Sequence, residues 1–287
     1  MIGTMAGAGV AAGQGAERGY DLLIRNGEVR DPARGYKARA DVAIADGKIA
    51  AIGSGLDAGK AREVVEARGL YVVPGLVDLH THIYYGGGSV PGIDADPVAA
   101  RSGVTTWVDA GSFAHDNVDG FRRYIVERSP VRVFGFVYLY PAFRDPETDA
   151  VKYVRAAMRP TAEAVERNRD FLLGVKVQIG SNMNGRYSPE FLKIARELCD
   201  AHRLPLMVHI SDAPPEVPQI MEQMRPGDIV THSYTGHGTS LADGQGRLKA
   251  GVAEARARGV IFDLGHGLGS FSFAEARKCL AAGFAVD

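Results

Sequence analysis

Two histidines stand two residues apart at the end of an apolar run, His80 and His82 in "VVPGLVDLHTH". Residues two apart on a strand project to the same face. Two imidazoles placed in this way can offer nitrogen to one divalent cation; a pair of hydrogen-bonded buried histidines is the plainer alternative. Two further apolar runs each close on a histidine, His209 in "LPLMVHI" and His232 in "DIVTHSY". Each alone would pass as packing. Four imidazoles at three strand ends favour a metal site, because the interior of a strand ring is ordinarily filled by Val, Ile and Leu. Another run, "LLGVKVQIG", carries Lys176 among apolar neighbours. A buried unpaired ammonium is costly, so it must lose its charge or find a partner, for which Asp109 is the available carboxylate. A neutral lysine amine can instead take up CO2 and become a carbamate, an anionic ligand able to bridge two cations.

These residues need elements to hold them. From Tyr71 onward, strand-like runs near 71–79, 104–110, 131–139, 172–179, 205–210, 228–232 and 260–265 alternate with helical stretches near 94–102, 117–128, 147–169, 189–202, 215–224, 246–258 and 273–282. Strand–helix units joined by short loops make parallel strands, and near-continuous apolar strands are buried on both faces. The series fits a TIM-type (β/α)8 barrel truncated after about seven βα units, or a doubly wound sheet. Polar residues at the C-terminal ends of several strands favour the barrel. "YYGGGSVPG" lacks the G-x-G-x-x-G spacing that a dinucleotide site would require. In "SPEFLKIARELCDAH", Ser188 predicts an N-cap, Pro189 suits the first turn, and Phe191, Ala195 and Leu198 share a face. "SFAE", Ser272 to Glu275, has the spacing of a capping box.

Ahead of the barrel, "DLLIRNGEV" and "DVAIADGKIAAIG" carry Asn26-Gly27 and Asp46-Gly47, and each predicts a β-hairpin. Hairpins alone are marginal and need a sheet partner. The expected organisation is a flexible Gly/Ala-rich tail over 1–19, an N-terminal β segment (part of an incomplete small β-sandwich) over 20–70, and an incomplete barrel over 71–287. With 33 Lys and Arg against 34 Asp and Glu, the net charge of −1 gives no electrostatic case for nucleic acid or an anionic membrane. No apolar run is long enough to span a bilayer, and the first twenty residues lack the features of a signal peptide. Cys199 and Cys279 form no metal motif and read as reduced thiols of a cytoplasmic protein. The expected partner is a small-molecule substrate, with homo-oligomerisation left open.

"GLVDLHTH" followed by a strand-borne lysine and by histidines ending the next two strands resembles the amidohydrolase superfamily, as does the preceding "DGKIAAIG … VVPG". Within it, "GVTTWVDAGS", "GVKVQIG", "THSYTG" and "FDLGHGLGSFSF" look like the deacetylase-type metal-dependent hydrolases related to dihydroorotases and D-aminoacylases. The resemblance runs from about Asp21 to the last residue. It implies that His80 and His82 bind the more buried metal, that carboxylated Lys176 bridges, and that His209 and His232 bind a second. Zinc is the expected metal, two ions per subunit. The implied reaction is hydrolysis of an amide or ester bond of a small acylated compound, with a metal-bound hydroxide as nucleophile. Cyclic amide hydrolysis, as in dihydroorotases and hydantoinases, is the rival. Deaminases fit less well, since they commonly use one metal and have no need of the lysine.

One part of the pattern is not met. The family places an aspartate on an eighth strand, where it binds the first metal and takes a proton from the attacking water. Here strand eight would begin just about at Asp287, ahead of any apolar run. The expectation is therefore a piece of a polypeptide of about 380–430 residues, with little or no turnover by itself. A non-catalytic barrel scaffold is the reading from another class. Asp263, in "VIFDLGH", is a candidate substitute base. Around the site, His266 is a candidate for contact with substrate or leaving group, and Tyr234 for a substrate carbonyl or carboxylate. Ser112 and Asp109 are candidates for orienting the ligands or meeting substrate. Arg186 is a candidate for a substrate carboxylate, a solvated loop arginine being the alternative. Asp78 shares the face of His80 and His82, and His115, His202 and His237 are expected at the surface.

Overall fold

The computed structural model describes residues 19–87, 91–139, 150–267 and 269–287, which fall into two compact units divided after Pro74. Residues 1–18 of the expected tail, 88–90 of the glycine-rich loop, 147–149 of the expected third helix and Leu268 lie outside the described residues.

The first unit holds β1 (Tyr20–Asp31), β2 (Tyr36–Ala45), β3 (Lys48–Gly53), β4 (Ala61–Glu66) and β5 (Tyr71–Val72). They form one sheet in the order β3-β2-β1-β4, with β5 also on β1. Asp46 and Gly47, at φ 50° and 69°, make the turn of the expected β2–β3 hairpin. The other expected hairpin does not form. Asn26 and Gly27 stay inside the continuous β1, where the register against β2 slips between Ile24 and Gly27. The reason is a partner for the strained backbone: Asn26, at φ 60°, donates its N–H to the carboxylate of buried Asp41 at 2.8 Å, and its side chain donates to Glu66. The pair that signals a turn is here a β-bulge. Val29, Ala40 and Val42 form the small core, with Ile24, Ile44 and Val72 against it. The expected first barrel strand over 71–79 is thus two elements, Tyr71–Val72 completing this sheet and a later strand opening the barrel.

The second unit runs β6 (Leu76–Thr81), α1 (Ala95–Ser102), β7 (Val104–Asp109), α2 (Val118–Phe121), β8 (Arg132–Tyr138), α3 (Ala150–Arg167), β9 (Leu172–Gln178), α4 (Ser181–Asn184), α5 (Ser188–His202), β10 (Leu206–His209), α6 (Val217–Gln223), β11 (Ile229–Thr231), α7 (Val252–Ala257), β12 (Ile261–Asp263) and α8 (Phe273–Ala281). Seven parallel strands, β6 to β12 in sequence order, form a nearly closed barrel with helices between them. No ladder joins β12 to β6 among the described residues. Side chains cross that interval instead, since His80 of β6 meets Thr231 of β11 and Asp263 of β12. At the free edge of β12, the Asp287 N–H donates to Phe262 O at 2.9 Å and its carboxylate accepts from Phe262 N at 2.8 Å.

Strand alternation sorts the side chains. Val175 and Val177 of β9, and Leu206 and Val208 of β10, pack with the helices in the large core. Val108, Ala110, Phe136, Met207 and Ile229, with Leu79, form a second, separate cluster inside the ring. Lys176 shares the register level of Met207 and Tyr138. On α5, Phe191, Ala195 and Leu198 are buried as the spacing requires. Ser188 is not its cap: the hydroxyl donates to Gly180 O at 2.9 Å and accepts from Gly180 N at 3.0 Å, pinning the end of the loop after β9. Ser272 does cap α8 by accepting from Glu275 N, but Glu275 turns to Ser240 and Lys278, so the box is not reciprocal.

Candidate metal centre

The four histidines come together at one end of the ring. Ring centroids lie 5.5 Å apart for His80 and His82, 4.6 Å for His80 and His232, and 4.2 Å for His209 and His232. His232 adopts φ 70°, a left-handed backbone rare for a bulky residue and a mark of functional sites. Burial, reinforced by the charge of Lys176, pushes the His82 imidazole down to about 4 and that of His232 down to about 4. Burial does the same to His80 and His209, which lie well below the ordinary histidine range. All four rings are therefore neutral at pH 7 and keep a lone pair.

Which nitrogen carries that pair is set by the surroundings. Nδ1 of His80 meets Thr231 Oγ1 at 2.5 Å, Nδ1 of His82 meets Ser112 Oγ at 2.9 Å, and Nδ1 of His232 meets Gly265 O at 2.7 Å. A carbonyl only accepts, so His232 holds its proton on Nδ1 and its lone pair on Nε2. Among the described residues the hydrogen bonds of these three rings all run through Nδ1, which leaves Nε2 for a ligand. Metal-binding imidazoles are oriented in this way.

Lys176 is 1% exposed, and its Nζ has no hydrogen-bond partner among the described residues. Burial brings its pKa down to about 7, against the pull of Asp263 and Asp109. The alternative salt bridge to Asp109 is not made. That carboxylate is taken up by the backbone N–H groups of Ile83 (2.9 Å), Gly111 (3.0 Å) and Ser112 (2.6 Å). Gly111, at φ 94°, leaves the space through which the lysine runs; a Cβ there would stand 2.8 Å from Lys176 Cγ. Among the described residues no three His, Cys, Asp or Glu side chains already form a metal-binding group. The fit to a divalent cation rests instead on the oriented Nε2 lone pairs and on an orphaned, readily neutralised amine beside them.

The remaining candidates separate. Ser112 touches His82, not open space, and is fully buried. Tyr234 is buried, with its hydroxyl donating to Phe284 O at 3.2 Å and accepting from Val286 N at 3.1 Å. It fastens the segment after α8. Arg186 is exposed and donates to the Tyr187 hydroxyl, the solvated-loop alternative. His266 is exposed and rests beside Phe271, centroids 5.0 Å apart, outside the histidine cluster. Asp78 accepts from His80 N at 3.2 Å. Asp263 accepts from Thr231 Oγ1 at 2.5 Å and lies 3.3 Å from His80 Nδ1, so its carboxylate is engaged and not poised as a free base. His202 is exposed and His237, next to Asp212, largely so, but His115 is half-buried.

Thr231 and Gly265 were not legible as site residues. A Cβ on Gly265, at φ 52°, would stand 2.8 Å from His232 Nδ1 and 2.9 Å from His80 Nδ1, and closer still to Thr231 Oγ1. Gly265→Ala is expected to cost about 1–3 kcal/mol of stability and to lower metal affinity, read by thermal melts and metal titration. Ser112→Ala removes the Nδ1 partner of His82 without opening a large cavity. It is expected to weaken metal binding by about 10–100-fold with little change in melting temperature; an unchanged affinity would show that the serine does not orient the ring.

Residues 71–263 match the amidohydrolase family, and the chain belongs to that family. Among its relatives, a deacetylase from Agrobacterium fabrum is 35% identical over 83% of this chain and 59% of its own length. Two crystal structures, titled as an adenine deaminase and a dihydroorotase, are each 30% identical. The first superposes with a TM-score of 0.81 over 93% of this chain and 71% of its own, the second with 0.78 over 92% and 70%. The chain thus spans about three-fifths of the length of the Agrobacterium relative.

Proposed function

We propose that this chain carries the metal-binding part of a hydrolase that cleaves an amide or ester bond of a small acylated compound, in the manner of a deacetylase. The observation that supports it most is the joint state of the site: three imidazoles tied back through Nδ1, and a buried lysine whose Nζ has no hydrogen-bond partner among the described residues. In this reading His80 and His82 would hold one cation and His209 and His232 a second, with Lys176, as a carbamate, supplying an anionic ligand. The neutral amine would add to CO2, forming an N–C bond and releasing one proton, which turns a buried neutral amine into an anionic ligand. Two zinc ions, suited to imidazole and carboxylate-type donors, would polarise the substrate carbonyl and acidify a water. The protein's own task is to fix the rings, keep them neutral and exclude water from the ring interior below them.

Relatives named deacetylase, 35% identical in one case, support this reading. A cyclic amide substrate is the second reading, favoured by the superposition on a dihydroorotase. No described helix is long and apolar enough to cross a membrane, and the two buried free cysteines agree with a cytoplasmic setting. Metal analysis of the full-length protein, with a carbon-13 carbamate resonance sought after incubation in labelled bicarbonate, tests the site. About two equivalents of zinc and a carbamate that disappears in Lys176→Met are the expected results. A panel of N-acetylated amino acids and cyclic ureides then divides the two substrate readings. Metal-replete protein whose Lys176 stays an ammonium would end the proposal.

A further inference from the structure

The two histidines of β6 share an arrangement that the proposed ligand set does not require. Each Nδ1 meets a hydroxyl, and each hydroxyl is backed by a carboxylate. Thr231 Oγ1 donates to Asp263 Oδ2 at 2.5 Å and meets His80 Nδ1. Ser112 Oγ bonds the Asp109 carboxylate and meets His82 Nδ1. A hydroxyl has one proton to give and a carboxylate can only accept. Once the hydroxyl proton is committed to the carboxylate, only its lone pairs remain for the ring. The imidazole must then be the donor, with its proton on Nδ1 and its lone pair on Nε2.

We propose that Asp263 and Asp109 are positioning residues that set the tautomers of His80 and His82, acting through Thr231 and Ser112. Without the carboxylates, each hydroxyl could turn and donate to Nδ1, leaving Nε2 protonated and unable to bind a cation. The imidazoles stay neutral in both states, so the device moves a proton between two nitrogens and changes no charge. It also accounts for the geometry of Asp109. Three backbone N–H groups hold that carboxylate in place, so its acceptor role is fixed and not available to Lys176. Asp263 draws its position from β12, whose neighbour β11 supplies Thr231 at the paired register. The last two strands thereby dictate the state of a histidine on the first.

The inference rests on the metal-hydrolase reading for its purpose, but its test does not. Metal-free protein with nitrogen-15 histidine is examined near neutral pH by long-range proton–nitrogen correlation, with His80 and His82 assigned through His80→Asn and His82→Asn. The expected result is the Nδ1–H tautomer at both positions. Asp263→Ala is expected to move His80 toward Nε2–H, because the carboxylate that takes the Thr231 proton and lies 3.3 Å from His80 Nδ1 is then gone, and Asp263→Asn to give a mixture. Zinc affinity should follow the same order, falling about 10–100-fold in Asp263→Ala and less in Asp263→Asn. His80 found as Nε2–H in the wild type, or as Nδ1–H in Asp263→Ala and Asp263→Asn alike, would overturn the proposal. A tautomer that responds as expected in a protein that never binds zinc would leave the inference standing and remove the hydrolase reading. Should Asp263→Ala not fold, Asp263→Asn still decides the question.

Discussion

Lys176→Met is expected to yield a more stable metal-free barrel and, on the hydrolase reading proposed above, a full-length protein of much reduced turnover. The ammonium sits among apolar strands with no hydrogen bond among the described residues, and burial lowers its pKa from 10.5 to about 7. The unfolded lysine keeps its proton up to the higher value while the folded one gives it up at the lower. Between them the unfolded state binds more protons, so stability rises with pH across that window. Below pH 7 the cost of the buried charge is fully present, roughly 5 kcal/mol as an upper bound from the shift. Methionine fills a similar volume, carries no charge and removes the cost. The gain in urea unfolding free energy should be several kcal/mol near pH 6.5 and vanish toward pH 10.5. Activity of the full-length enzyme should fall by about 10³-fold, the scale of deleting one electrostatic group at a reacting centre. A variant without the pH-dependent gain would mean that the amine already has a charged partner, and a variant with undiminished turnover would remove the lysine from the site.

That lysine was visible in the sequence because it interrupts an apolar strand, and the histidines because each ends one. Such departures from the strand pattern are a strong signal, since they contradict what the local element would choose for packing. The seven barrel strands were visible for the complementary reason: continuous apolar runs separated by helix-period segments admit few other folds. Local turn chemistry was a weaker guide. Asn26-Gly27 has the residues of a hairpin turn, yet the donors of Asn26 find Asp41 and Glu66, partners far away in sequence, and the strand continues. Ser188 has the chemistry of a cap, yet Gly180 claims its hydroxyl. The supporting groups of the site were hidden for the same reason. Thr231 is unremarkable on a strand, and Gly265 is one glycine among many; both acquire a role only when β6 and β12 are brought within reach of each other. Two residues after His232 implies the same face only while the strand continues; the strand ends at Thr231, and the Tyr234 hydroxyl meets Phe284 and Val286.

The second large effect expected is acid unfolding of the chelated protein between about pH 6.5 and pH 4. In the fold, burial and the charge of Lys176 lower His82 and His232 to about 4, and His80 and His209 are lowered further in the same direction. The unfolded rings take up protons near 6.5. The stability tied to their neutrality is therefore complete above that value and is lost as pH falls toward the folded pKa. His82 and His232 each account for roughly 3 kcal/mol at most, so together they rival the whole stability of an ordinary domain. The raised carboxyls of Asp78, Asp109 and Asp228 act in the opposite sense, since a carboxyl that holds its proton longer in the fold gains stability as pH falls. Their effect starts from the carboxylate range, so the slope near pH 6 belongs to the histidines. Circular dichroism against pH should show a steep transition that zinc displaces to lower pH, because a cation on Nε2 competes with the proton for the same lone pair. Replacing His82 and His232 together by asparagine should flatten the transition and abolish its response to zinc. A wild-type curve that zinc does not move would mean that the open nitrogens are not where the cation binds.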